Sequence, residues 1–123
     1  MKPCATGLIP MAQVQDVQRS ADFYRLLGME VRDSLRNSLG VLQWIDLVCE
    51  GAQLMLTRAS APVVADQQEV LFYLCCANLP ALREHFLANG VNVSSVGHPQ
   101  YMPEGEVRIE DPDGYVLLIG QSG

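Results

Sequence analysis

The sequence is short of charge. Charged residues occupy 18% of its 123 positions, with 8 Lys or Arg against 14 Asp or Glu. A formal net charge of -6 argues against the basic surface needed to neutralise a nucleic-acid backbone. Long apolar runs are also missing, and none approaches the ~20 residues that span a bilayer. The apolar patch after Met1-Lys2-Pro3-Cys4 breaks at Pro10 and then at Gln13, Gln15 and Asp16, so no targeting signal is read there. Cys4, Cys49, Cys75 and Cys76 are too few and too irregular for the disulfide framework of a secreted domain. Reduced thiols in a cytoplasmic protein are expected. Cys75 and Cys76 should point to opposite faces of a strand, in a buried structural role. Histidine is confined to His85 and His98, and tryptophan to Trp44.

What is present is apolar. At 49% hydrophobic residues the chain can build a core without metal or disulfide staples, as one domain or as two small repeats sharing a core. A repeat is visible: Met11 to Val31 matches Tyr73 to Val93, sixty-two residues later. Each segment opens as an apolar strand and reaches an Asx residue, Asp16 or Asn78, suited to capping a helix. Val17, Ala21, Tyr24 and Leu27 then fall at helical spacing, as do Leu79, Leu82 and Phe86, with Pro80 tolerated in the first turn. Gly28 and Gly90 stand where a helix ends on a left-handed residue, and strands are expected at Met29-Glu30-Val31 and Val91-Asn92-Val93.

The remainder reads as strands. Leu39 to Val48 is apolar and partly alternating, and Glu50-Gly51 turns it into Ala52 to Thr57. Arg58 to Gln68 is a polar, Pro-containing linker. Gly105 to Glu110 and Tyr115 to Ile119 are strands joined by the turn Asp111-Pro112-Asp113-Gly114. Asp111 and Asp113 do not open a calcium loop, because Ser122 stands where its bidentate Glu would be. The expected class is α+β: two tandem βαβββ modules, about 7–58 and about 69–121, in one domain over 1–123.

Val14-Gln15-Asp16-Val17, Ser20-Ala21-Asp22-Phe23-Tyr24-Arg25 with Leu27-Gly28, and Glu110-Asp111-Pro112-Asp113-Gly114-Tyr115 carry a family resemblance. With the duplicated βαβββ plan, the chain resembles the vicinal oxygen chelate superfamily of glyoxalase I, extradiol dioxygenases and bleomycin-resistance proteins. The resemblance implies curled mixed sheets around a concave cleft, and a homodimer. It does not choose a chemistry, because this fold carries several.

Metal-dependent members of that superfamily hold a divalent ion on His, Glu or Gln at four positions facing the cleft. The resemblance places those positions here at Ile9, Met55, Leu71 and Leu118, all apolar. No metal and no other cofactor is therefore expected. His85 and His98 read as surface or structural residues. In phase with the four positions lie Met11 and Gln13, Gln53 and Thr57, Tyr73 and Cys75, and Val116. Trp44 is either an aromatic wall able to stack on a planar or cationic ligand, or plain core. Tyr101, Met102, Phe72, Glu106 and Arg108 could rim the pocket, although a solvated strand edge explains the charges as well. The acids Asp33, Asp46, Glu50, Asp66, Glu69 and Glu104 are scattered and define no cleft of one sign.

The function expected is binding or sequestration of a small molecule, an aromatic or cationic one, without metal. The ligand-binding residues are Met11, Gln13, Trp44, Met55, Tyr73 and Tyr101, with no catalytic residue. The alternative is an isomerase or lyase of the same fold working through side-chain acid/base groups. Neither nucleic acid nor membrane is an expected partner.

Overall fold

A computed structural model describes residues 3–122. The chain divides between Val63 and Val64 into two compact units, each a module built around its own sheet. The first contains β1 (Met11–Val14), α1 (Val17–Arg25), β2 (Glu30–Arg36), β3 (Leu42–Cys49) and β4 (Ala52–Arg58). The second contains a 3-10 turn (Ala65–Gln67), β5 (Leu71–Cys76), α2 (Leu79–Ala88), β6 (Glu106–Glu110) and β7 (Val116–Gln121). The fold is α+β, with one curled mixed sheet per module. Among the described residues no helix is long and apolar enough to cross a membrane.

The repeat is built from the same local devices twice. Asp16 Oδ1 accepts the Arg19 N–H at 3.1 Å, and Asn78 Oδ1 accepts the Ala81 N–H at 3.1 Å, so each helix opens on a side-chain cap. Gly28 and Gly90 take positive φ of 81° and 76°, ending the helices where L side chains are strained. The next amides fold back identically, Met29 N–H to the Tyr24 carbonyl and Val91 N–H to the Phe86 carbonyl.

Sheet order is β1-β4-β3-β2 in the first module and β5-β7-β6 in the second. In each, the opening strand pairs parallel with the closing one, β1 with β4 and β5 with β7, and the other pairings are antiparallel. One face of the first sheet buries Ala12, Val14, Ile45, Leu47, Leu54 and Leu56, with Val17, Ala21 and Tyr24 of α1 supplying the opposing apolar surface. The second buries Leu117, Ile119, Val107 and Ile109 with Leu79 and Phe86 of α2. Leu27 and Leu82, expected in the same stripes, are only part-buried.

The second module departs from the expected plan at its third strand. Val91-Asn92-Val93 forms no ladder, and the following segment meets β6 through one isolated bridge, Gly97 with Glu106. The Ser94 hydroxyl accepts the Arg108 N–H at 2.8 Å, so a side chain takes a donor that a continuous ladder would give to a carbonyl. Three continuous strands result, where the first module has four.

The Asp-Pro-Asp-Gly turn is more than a surface reversal. Asp111 and Asp113 are buried. Asp111 Oδ1 accepts both the Asp113 and the Tyr115 N–H at 2.9 Å, while the Gly114 N–H reaches the Asp111 carbonyl at 3.0 Å. Gly114 has φ of 86°, and a Cβ there would lie 2.4 Å from Ala65 Cβ. Gly51 also has positive φ, 69°, but meets nothing within 4 Å. Gly114→Ala should therefore cost about 2–4 kcal/mol, summing left-handed strain and overpacking, against about 1 kcal/mol for Gly51→Ala. Urea unfolding of the two variants checks the difference.

Candidate functional site

Strand register determines which side chains share the face away from α1. Met11 pairs with Met55 and Met55 with Asp46; Gln13 pairs with Thr57 and Thr57 with Trp44. Directly paired residues project to one side. Two rows thus cross the sheet, Met11–Met55–Asp46 and Gln13–Thr57–Trp44, with Gln53 beside Val48 in the next. Met11, Gln13, Trp44 and Met55 lie together on this face. Met11 is 52% exposed, whereas Met55 and Trp44 are half-buried. Trp44 points away from the α1 core.

Asp46 is the residue that sequence reasoning missed, having been counted among scattered acids. It is 5% exposed and lies in the same row as Met11 and Met55. Gln53 Nε2 donates to its Oδ1 at 2.8 Å, and Arg32 donates to Oδ2 through Nε at 2.9 Å and through Nη2. The Gln53 hydrogen bond is the largest influence holding the carboxyl below its ordinary value of 3.8; burial opposes it and Arg32 assists. Arg32 reaches this partner because the β2–β3 register shifts between Val31 and Asp33. The available signal was an acid inside the apolar strand Leu42–Cys49, in phase with Trp44.

In the second module, the face away from α2 carries the rows Leu71–Val116–Glu110, Tyr73–Leu118–Arg108 and Cys75–Gly120–Glu106. The Tyr73 ring meets that of Tyr101 edge-on, with centroids 6.0 Å apart and planes at 67°. Tyr101 donates its hydroxyl to Glu106 Oε1 at 2.8 Å. Burial, and then the Glu106 carboxylate, push the Tyr73 phenol up to about 12, so it stays protonated at neutral pH. Gly120 makes this arrangement possible, since a Cβ there would lie 2.5 Å from the Tyr73 hydroxyl and 2.7 Å from the Met102 methyl. Tyr73 and Tyr101 are thus brought together within one module. Cys75, expected in a buried role, is exposed, and Cys76 is half-buried on the other face. The exposure of Cys75 follows from its row, which lies opposite the helix. Glu106 is likewise not simply a solvated edge charge, whereas Arg108 pairs with Glu110 at 3.0 Å on the surface.

The four positions where related proteins hold a divalent ion do not fit one here. Ile9 precedes β1, Met55 lies in β4, Leu71 opens β5 and Leu118 lies in β7. They supply no nitrogen or oxygen side-chain donor, and the one thioether is a soft ligand suited to other ions. Among the described residues no group of three or more His, Cys, Asp or Glu side chains could hold a metal. His85 and His98 are exposed, with His98 Nδ1 2.9 Å from the Pro103 carbonyl. A shallow cavity of about 360 Å³ in the first module has Asp16, Val17, Arg36, Leu42 and Arg58 in its walls and includes none of the expected ligand residues.

The family profile described as Glyoxalase/Bleomycin resistance protein/Dioxygenase superfamily matches residues 9–119. No curated protein sequence matches the chain significantly. Among solved structures, SMU.1112c is 20% identical with a TM-score of 0.78, covering 97% of this chain and 100% of that one. TnmS3, an antibiotic binding protein from Streptomyces sp. CB03234, is 18% identical with a TM-score of 0.75, covering 100% of both chains. The bleomycin-binding protein of bleomycin-producing Streptomyces verticillus, complexed with copper(II)-bleomycin, is 16% identical with a TM-score of 0.73, covering 99% of this chain and 100% of that one. At these identities the likeness shows the shared fold.

Asp46 also makes stability depend on pH. Its folded value is depressed, so its contribution is complete above about 3.8 and is lost as the pH falls through the lower folded value. Asp46→Asn should cost about 1–3 kcal/mol at pH 7, because Arg32 and Gln53 lose a charged acceptor. The gap between variant and wild type should close in acid, where the native carboxyl is also neutral. Chemical denaturation at several pH values reads it.

Proposed function

The chain belongs to the glyoxalase/bleomycin resistance protein/dioxygenase superfamily, and on that premise we propose that it binds and sequesters a small molecule without a metal. The observation that carries this reading is the loss of donors at Ile9, Met55, Leu71 and Leu118, while aromatic and thioether side chains remain beside them. Met11, Gln13, Trp44 and Met55 offer an apolar surface with one amide, and Tyr73 and Tyr101 offer two rings with a carboxylate close by. Apolar area with a few placed polar groups is the usual make-up of a small-molecule site. The antibiotic- and bleomycin-binding proteins of the same fold support binding as the activity. No nucleic acid partner is proposed, in keeping with the charge of -6.

The proposal extends to one functional domain made of both modules, acting as a cytoplasmic homodimer. Four free cysteines support a reducing compartment. The edge strand β2 supports association, since all seven of its residues are exposed and Leu35 is 62% exposed. Sedimentation should give twice 13.5 kDa.

A second reading, an isomerase or lyase using side-chain acid/base groups, draws on Glu106 beside two phenols. Tyr73 would there stay protonated and donate a hydrogen bond to a substrate oxygen, while Glu106 would have to serve as the acid/base group. Saturable binding that leaves the ligand chemically unchanged separates sequestration from this reading.

Bleomycin and a panel of planar aromatic molecules should quench or shift Trp44 fluorescence on binding. By calorimetry, Trp44→Phe should weaken that binding about 3- to 10-fold, the scale of one lost aromatic contact. A variant that binds as well as wild type removes Trp44 from the site. Metal analysis of protein purified without chelators should find less than one ion per chain; stoichiometric Zn²⁺, Ni²⁺ or Fe²⁺ would overturn the metal-free reading.

A further inference from the structure

Among the described residues, two arginines of the first module, Arg36 and Arg58, have no carboxylate partner. This is unexpected in a chain whose acids outnumber its bases 14 to 8. Arg25 pairs with Asp22 at 3.2 Å, Arg108 pairs with Glu110 at 3.0 Å, and Arg32 pairs with Asp46. Arg36 donates only to a backbone oxygen, from Nη1 to the Gly40 carbonyl at 2.8 Å, so the rest of its fork stays open. Both unpaired cations stand in the walls of the cavity of about 360 Å³.

Sheet register gathers them there. Arg58, the last residue of β4, pairs with Val14, the last of β1; Arg36, the last of β2, pairs with Leu42, the first of β3. All four strands thus bring these residues to one end of the sheet, where the chain enters α1 at Val17. The β2–β3 turn fixes one of the two cations. Asn37 Oδ1 accepts the Leu39 and Val41 N–H groups at 2.9 and 3.0 Å, which directs the Gly40 carbonyl that holds Arg36.

This wall selects an oxyanion. A guanidinium fork matches carboxylate and phosphate oxygens in parallel pairs of hydrogen bonds. A carboxylate has two oxygens, enough for one fork, whereas a phosphate monoester brings three terminal oxygens and close to two charges to both. Buried Val17 and Leu42, with the exposed Val41, add apolar surface beside the cations. The volume lies at the small end of the range for ligand sites. Asp16 shares the wall and opposes an anion; its Oδ1 accepts the Arg19 N–H at 3.1 Å, and two cations outweigh its single charge.

We propose that Arg36 and Arg58 form a second ligand site, which holds the phosphate of a small phosphate monoester while its apolar body lies on Val17, Val41 and Leu42. None of these residues belongs to the rows that carry Met11, Gln13, Trp44 and Met55. The site is therefore separate from the one proposed above and is tested without it.

The test titrates the full chain with n-butyl phosphate, butyrate, butanol and inorganic phosphate, and reads affinity from the NMR shifts of the Val17, Gly40 and Val41 amides. Butyl phosphate should bind about tenfold tighter than butyrate, the scale of one further charge-assisted contact. Inorganic phosphate should bind severalfold weaker than butyl phosphate, and butanol should leave these amides unmoved. Arg36→Gln and Arg58→Gln should each weaken butyl phosphate about tenfold by removing charged donors. Asp16→Asn keeps a capping side chain and should tighten it severalfold. Should Arg36→Gln loosen the turn, Arg58→Gln, which breaks no hydrogen bond within the protein, decides alone. Absence of anion binding, equal response to butanol, or an affinity that survives Arg58→Gln overturns the site. Butyrate binding tighter than butyl phosphate overturns the phosphate assignment, and inorganic phosphate binding as tightly overturns the apolar contact. Arg58→Gln should leave Trp44-detected binding of planar molecules unchanged, so failure of this site and failure of the binding reading are separately visible.

Discussion

Each sheet has its own module's helix on one face only, and the rest of the structure follows from that constraint. Side chains alternate along a strand, so every strand has one set committed to the helix-side core and another freed from it. Ala12 and Val14 go to the core while Met11 and Gln13 do not; Leu54 and Leu56 go to the core while Met55 and Thr57 do not. A one-residue slip in register would exchange the two sets and destroy both core and site. The core therefore determines which residues can meet a ligand.

The parallel pairing of each opening strand with its closing strand adds the second element. It carries the chain over the sheet through the helix and sets β1 beside β4, and β5 beside β7. Residues more than forty positions apart, such as Met11 and Met55 or Tyr73 and Leu118, become neighbours in this way. The modules then diverge in how they treat a carboxylate on the freed face. Asp46 is saturated by Gln53 and Arg32, and it stabilises the fold. Glu106 accepts the Tyr101 hydroxyl at 2.8 Å and, adding to burial, keeps the neighbouring Tyr73 phenol protonated. The two modules share this frame and differ in the chemistry on the faces away from their helices.

Much of the frame was legible because it is written locally. Asp16 and Asn78 as caps, Gly28 and Gly90 as terminators, and the Asp-Pro-Asp-Gly turn each depend on a few adjacent residues and were read directly. The phase of Met11, Gln13 and Met55 was legible too, since alternation follows once a strand is located, whereas Trp44 stood between wall and core until its pairing with Thr57 placed it on their face. The strand expected at Val91-Asn92-Val93 was not secure. β propensity favoured it, but the Ser94 hydroxyl and a single bridge at Gly97 replaced the ladder. The Asp46 cluster was hidden because it requires a register shift beside Arg32, and such a shift depends on how two strands meet.

The sequence by itself determined the duplicated plan, the helix boundaries, the family resemblance and the apolar character of Ile9, Met55, Leu71 and Leu118. These depend on residue identity and short-range spacing, where capping, turn geometry and alternation act. Tertiary structure alone decided that Asp46 is paired and buried, that Tyr73 and Tyr101 form a corner, and that Glu106 lies against both phenols. Burial and hydrogen-bond satisfaction are properties of everything packed around an atom, and most of those neighbours are distant in the chain. The low charge content first noticed in the sequence thus acquires two distinct meanings, an acid paired with Arg32 and Gln53 in one module and an acceptor for tyrosine hydroxyls in the other.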